Sequence, residues 1–85
     1  MVDIALASKI KTRVVETIKE LRGLSFLLPS EVKIEVLEKK DEGYIIRGSY
    51  RYKGILGSII EEGDFEVELD YNLNPSKVRI KPRNH

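Results

Sequence analysis

The chain has no cysteine, no tryptophan and no glutamine, and its one histidine is the last residue, His85. Without cysteine there can be no disulfide, no thiolate zinc site and no iron–sulfur cluster. A lone terminal histidine supplies neither an imidazole metal cluster nor a base to activate Ser25, Ser30, Ser49, Ser58 or Ser76. The acidic pairs Asp41-Glu42 and Glu61-Glu62 fall short of the ligand count of a calcium loop. Neither a metal nor a cofactor is therefore expected, and the chain does not read as an enzyme.

An excess of one charge is also missing. Fifteen Lys and Arg oppose 14 Asp and Glu, a net charge of +1. So even a balance gives no global field for nucleic acid or an anionic membrane. No apolar run approaches the roughly 20 residues of a membrane span. The opening Met1-Val2-Asp3 carries acid where a secretory leader would carry base, so a cytoplasmic protein is expected.

What remains is one α+β domain over residues 1–85, near the lower end of what one core can stabilise. A chain of this size buries only roughly 60–65% of its unfolded surface. With disulfides and metals excluded, self-association is the most available further source of stability. A third of the residues are charged, Ile and Val are abundant and glutamine is absent, a thermophile-like composition.

The spacing predicts a helix over Asp3–Arg22. Leu6, Ile10, Val14, Ile18 and Leu21 recur every three or four residues, with Ala7 and Thr17 beside them. Lys9, Thr12, Arg13, Glu16, Lys19 and Glu20 take the other side. Asp3 is placed to cap the N-terminus and Gly23 to close the C-terminus. A connector from Gly23 to Ser30 follows, whose Leu24, Phe26 and Leu28 are expected to pack under the helix end.

After Ser30 the pattern alternates. Val32, Ile34 and Val36 point one way, Lys33 and Glu35 the other. Asp41-Glu42-Gly43 reads as a three-residue hairpin loop. Tyr44, Ile46, Gly48, Tyr50 and Tyr52 continue the apolar face, and pairing Lys40 with Tyr44 sets Val36 opposite Gly48. In the third strand Phe65, Val67, Leu69 and Tyr71 face in while Glu66, Glu68 and Asp70 face out. Asn72–Pro75 turns the chain, and Val78 and Ile80 return with Lys77, Arg79 and Lys81 outward. Pairing Asp70 with Lys77 would set Glu68 against Arg79 and Glu66 against Lys81, three opposite-charge pairs in one register. The expected architecture is one N-terminal amphipathic helix packed on a four-stranded antiparallel meander. This order is similar to the helix-on-sheet plan of the cystatins, but their glutamine-containing loop has no counterpart here.

Residues 54–63 fit either one or two helical turns or a long glycine-hinged hairpin tip, and an irregular loop with one helical turn is the expectation. Their aliphatics Ile55, Leu56, Ile59 and Ile60 need burial somewhere. They either close over the end of the sheet as core or dock on another chain. We single them out as partner-binding residues, the partner being a second copy of the chain or another protein. Their glycines match neither GxGxxG nor GxxxxGK[ST], so phosphate cradling is set aside. The sheet supports association too, because four strands at ~4.8 Å make a face roughly 20 Å wide. A single helix is only about 10 Å across. A homodimer is the expectation.

The alternative is a nucleic-acid-binding module using Arg47, Arg51, Lys53, Lys81 and Arg83. Tyrosines interleave with these cations along 44–53, as in sheets that stack bases. The tyrosines share the core face and the arginines the opposite one, whereas a stacking platform needs exposed rings and cations together. Nucleic acid is thus the lesser expectation. Glu38 is the remaining acid/base candidate, if it points inward opposite Ile46, although its place near a strand end favours solvent.

Overall fold

The structure, a computed structural model, describes residues 4–23, 30–54 and 56–83. One helix, α1 (Ile4–Arg22), precedes four strands, β1 (Ser30–Lys40), β2 (Gly43–Lys53), β3 (Ile59–Asp70) and β4 (Pro75–Pro82). The strands form one open antiparallel sheet in the order β1-β2-β3-β4. This is the α+β meander that the alternation predicts. Asp3 and the connector residues 24–29 lie outside the described residues.

The helix ends where Gly23 takes φ +67°, a left-handed conformation that glycine adopts without steric cost. Its buried stripe is Ile10, Val14, Thr17 and Ile18, with Leu6 and Val15 packed alongside. Two expectations fail at its last turns: Leu21 is exposed and Lys19 is buried. Over those turns the contact stripe drifts toward the Lys19 and Arg22 side, because side chains there meet polar anchors on the sheet. The Lys19 ammonium sits 5.7 Å from the centre of the Tyr52 ring, so its alkyl stem covers apolar surface while the charge meets the π-face.

Beneath the helix lie Tyr44, Ile46, Tyr50 and Tyr52 of β2 and Phe65, Val67 and Leu69 of β3, all buried. Each such side chain contributes roughly 1.5–3 kcal/mol on leaving water. Ile34 and Leu37 of β1 and Val78 and Ile80 of β4 form a half-buried rim. Tyr71 departs from its expected core position. It is 46% exposed beyond the end of β3, its ring edge-on to Tyr44 at 5.3 Å.

The β1–β2 and β3–β4 hairpins form, but each in a register other than the expected one. Lys40 pairs with Gly43, leaving Asp41-Glu42 as a two-residue loop. Ile34 then pairs with Gly48 and Val36 with Arg47, so Glu35 is an extra residue, a β-bulge. The bulge moves Val36 onto the charged face and puts Leu37, not Glu38, opposite Ile46. Glu38 is exposed and pairs with Ile45, so its inward acid/base placement is overturned. Gly48 makes the bulge possible: a Cβ there would run into the Lys33 carbonyl and meet the Phe65 ring at 3.0 Å.

The β3–β4 register is displaced by two. Glu68 pairs with Lys77, Glu66 with Arg79 and Asp64 with Lys81. Three opposite-charge pairs survive because acids and bases alternate with the same period on both strands. Asp70 is withdrawn from that ladder by the turn. Its Oδ1 accepts the backbone N–H of Asn72 at 2.8 Å and of Asn74 at 2.9 Å, while Leu73 holds φ +65°.

Residues 59–63 are strand rather than loop. β2 and β3 are joined by a tight turn in which Gly54 N–H donates to the Ser58 carbonyl at 2.8 Å. Gly57 N–H donates to the Gly54 carbonyl at 3.0 Å, with Gly57 at φ +84°.

Candidate functional site

Three places in the fold bear on function: the β2–β3 hairpin tip, the charged sheet face and a polar cluster under the helix end.

The tip carries the aliphatics singled out in the sequence. Leu56 is 95% exposed, Ile60 51% and Ile59 39%; Ile55 lies outside the described residues. Tyr52 pairs with Glu61 and Lys53 with Ile59, which leaves Ile60 as a bulged residue between them. The three described aliphatics are therefore held by a hydrogen-bonded hairpin and are not folded into the core. Closure over the end of the sheet does not occur for them.

The wide uncovered sheet face shrinks on inspection. Ile46, Val67 and Tyr52 in its middle are fully buried, leaving open only the rim. Between α1 and β4 runs a shallow groove of about 280 Å³, lined in part by Thr17, Leu21, Pro75 and Val78.

On the opposite face the cations of the nucleic-acid alternative meet carboxylates. Arg47 Nε donates to Glu66 at 2.7 Å, and Arg51 Nε donates to Glu62 at 3.0 Å. Lys53 reaches Glu31 at 3.4 Å, and Arg83 donates to Asp64 at 2.8 Å. Lys81 stands in register with Asp64. The Arg47 guanidinium holds the Glu66 carboxyl below the ordinary range, and Arg83 does the same to Asp64. Cations held this way present little unpaired charge to a phosphate backbone. Tyr44, Tyr50 and Tyr52 are buried on the other side of the sheet and offer no ring to a base.

The polar cluster was not anticipated. Glu61 lies on the core side of β3, where alternation calls for an apolar residue. Its carboxylate accepts Nε and Nη2 of Arg22 at 3.0 and 3.1 Å and the Tyr50 hydroxyl at 2.7 Å. The Arg22 hydrogen bonds hold the Glu61 carboxyl below its usual range. Burial and the nearby carboxylate push the Tyr50 hydroxyl up, and burial pushes Tyr52 up to about 12. The buried Tyr52 hydroxyl has no hydrogen-bond partner among the described residues. Thirty-nine residues separate Arg22 from Glu61, so no local spacing announces the pair. The cluster fastens the end of α1 to β3.

Among the described residues no group of three or more His, Asp or Glu could hold a metal ion. No helix among them is long and apolar enough to cross a membrane. No family model matches the chain, and neither a curated protein nor a solved structure does.

Proposed function

We propose that this chain is a non-catalytic association module of the cytoplasm that forms at least a homodimer through its β2–β3 hairpin tip. The observation that carries this reading is the exposure of Leu56, Ile59 and Ile60 on a hydrogen-bonded turn. Exposed aliphatics grouped on an ordered element mark a contact surface. The occupant is a second copy. Residues 54–60 carry no charge, so the matching patch must be apolar and neutral, and the tip itself meets that description. A patch that matches itself makes a two-fold contact in which the same residues serve both sides. Among the described residues the other exposed large apolar side chains, Ile4, Leu21 and Tyr71, lie elsewhere in the fold.

Sedimentation of the wild type against Leu56→Asp and Ile60→Asp tests this. Self-association that either substitution abolishes, with the far-UV circular dichroism unchanged, is the expected result. A wild type that stays monomeric at ~100 μM, or variants that assemble like it, would overturn the reading.

A further inference from the structure

β1 is an edge strand, and its eleven residues carry an unusual symmetry. Its pairing with β2 assigns the side chains from Glu31 to Lys40, the bulged Glu35 excepted, to a face. Val32, Ile34, Leu37 and Lys39 lie on the helix side, and Glu31, Lys33, Val36, Glu38 and Lys40 on the charged side. Laid antiparallel to a second β1, with Ile34 opposite Leu37 of the second copy, every pair falls on matching faces. Lys33 then meets Glu38 and Glu31 meets Lys40, each occurring twice by symmetry. Slipping by two residues one way sets Lys33 against Lys40 and Glu35 against Glu38. Slipping the other way sets Glu31 against Glu38. Slipping by one sends charged side chains to the wrong face. The favourable register stands alone among its neighbours because the bulge at Glu35 lets Ile34 and Leu37 share a face.

We propose that β1 pairs with β1 of a second copy in this register, joining two four-stranded sheets into one of eight strands. The surface is available. Lys33, Glu38 and Lys40 are exposed with no ion-pair partner among the described residues, and Ile34 and Leu37 are half-buried. Bulges usually blunt an edge against pairing. Here both bulges fall on the two-fold axis, and the segments on either side of them pair. This inference shares with the proposed function the premise that the chain self-associates, but it uses different residues. A chain using both contacts builds tetramers or longer strings, whereas each contact alone stops at a dimer.

Two substitutions test it by charge complementation. Lys33→Glu alone and Glu38→Lys alone each set like charges opposite one another twice per dimer. Each should weaken the β1 contact roughly 2- to 30-fold, given about 0.2–1 kcal/mol for each cross-strand pair. An equimolar mixture of the two variants should restore it, since every facing pair is again opposite in charge. In the cysteine-free background Lys33→Cys/Glu38→Cys should give a disulfide-linked dimer on oxidation. Combining Lys33→Glu with Leu56→Asp should leave only the weakened β1 contact. Charge variants that assemble like the wild type, a mixture that restores nothing, or absence of the crosslink would overturn the β1 contact. Leu56→Asp without effect would overturn the tip contact and leave this one standing.

Discussion

Tyr50 and Tyr52 sit two residues apart on the core face of β2, and of their two buried hydroxyls the one on Tyr50 has a partner, Glu61. Opposite mutational signs follow. Tyr50→Phe removes a hydrogen bond to a carboxylate and should destabilise by about 1 kcal/mol, discounted for the exposed Arg22 that shares it. Tyr52→Phe removes a polar atom that is buried without a partner and should be neutral or stabilising by up to about 1 kcal/mol. Urea titration of the two variants checks the signs. Glu61 also sets part of the acid response. Its folded carboxyl titrates below its ordinary value of 4.5, so the stability it adds is complete above that value and is lost as the pH falls through the lower, folded one. Glu61→Gln should lower stability at neutral pH and flatten this part of the acid limb. Once the pH has fallen below that folded titration the variant and the wild type should converge, which denaturant midpoints measured from pH 7 downward will show.

Elements were easier to read than their joints. The Ile10, Val14 and Ile18 stripe and the Phe65, Val67 and Leu69 alternation identify helix and strand because they are solvent-averse at a fixed period. Registers were legible only to within one or two residues. Nothing near Glu35 marks it as an extra residue, since the bulge answers to Gly48 on the next strand. Asp70 resembles another rung of the charge ladder, while its carboxylate is held by the turn. The first half of β3 was hidden because Glu61 occupies an inward position that only the distant Arg22 and Tyr50 make tolerable. The tip aliphatics stood out in the sequence, yet only coordinates separate exposure from burial there. Gly48 offers the test at this scale. Gly48→Ala drives a Cβ into the Lys33 carbonyl and against Phe65, so β1 must separate from β2 or the bulge must move. The expected cost is about 2 kcal/mol or more, with faster amide exchange along Val32–Leu37 than along β3. A variant as stable as the wild type would show that the close approach at Gly48 is not required.

At the scale of the whole molecule, 85 residues without a disulfide have a thin stability margin, and both proposed contacts would add to it by mass action. Association coupled to folding leaves a signature that a monomer cannot mimic, because the unfolding midpoint rises with protein concentration. A hundredfold increase supplies about 2.7 kcal/mol to each pair of chains, or half that to each chain. For a domain of this size the midpoint should climb roughly 5–10 °C. Calorimetry at ~10 μM and ~1 mM measures it directly. Lys33→Glu/Leu56→Asp, without the tip contact and with the β1 contact weakened, should show a smaller rise between the two concentrations, although its core is untouched. The cross-strand arginine pairs on the open face respond to ionic strength instead, since exposed charges are screened within about 10 Å at 0.1 M salt. Salt should therefore lower the midpoint of the variant slightly at both concentrations. It should lower that of the wild type further, because the Lys33 and Glu38 pairs between copies are screened as well. Equal salt sensitivity in the two proteins would mean that no ion pair joins the copies, and the tip would then be left as the contact between them.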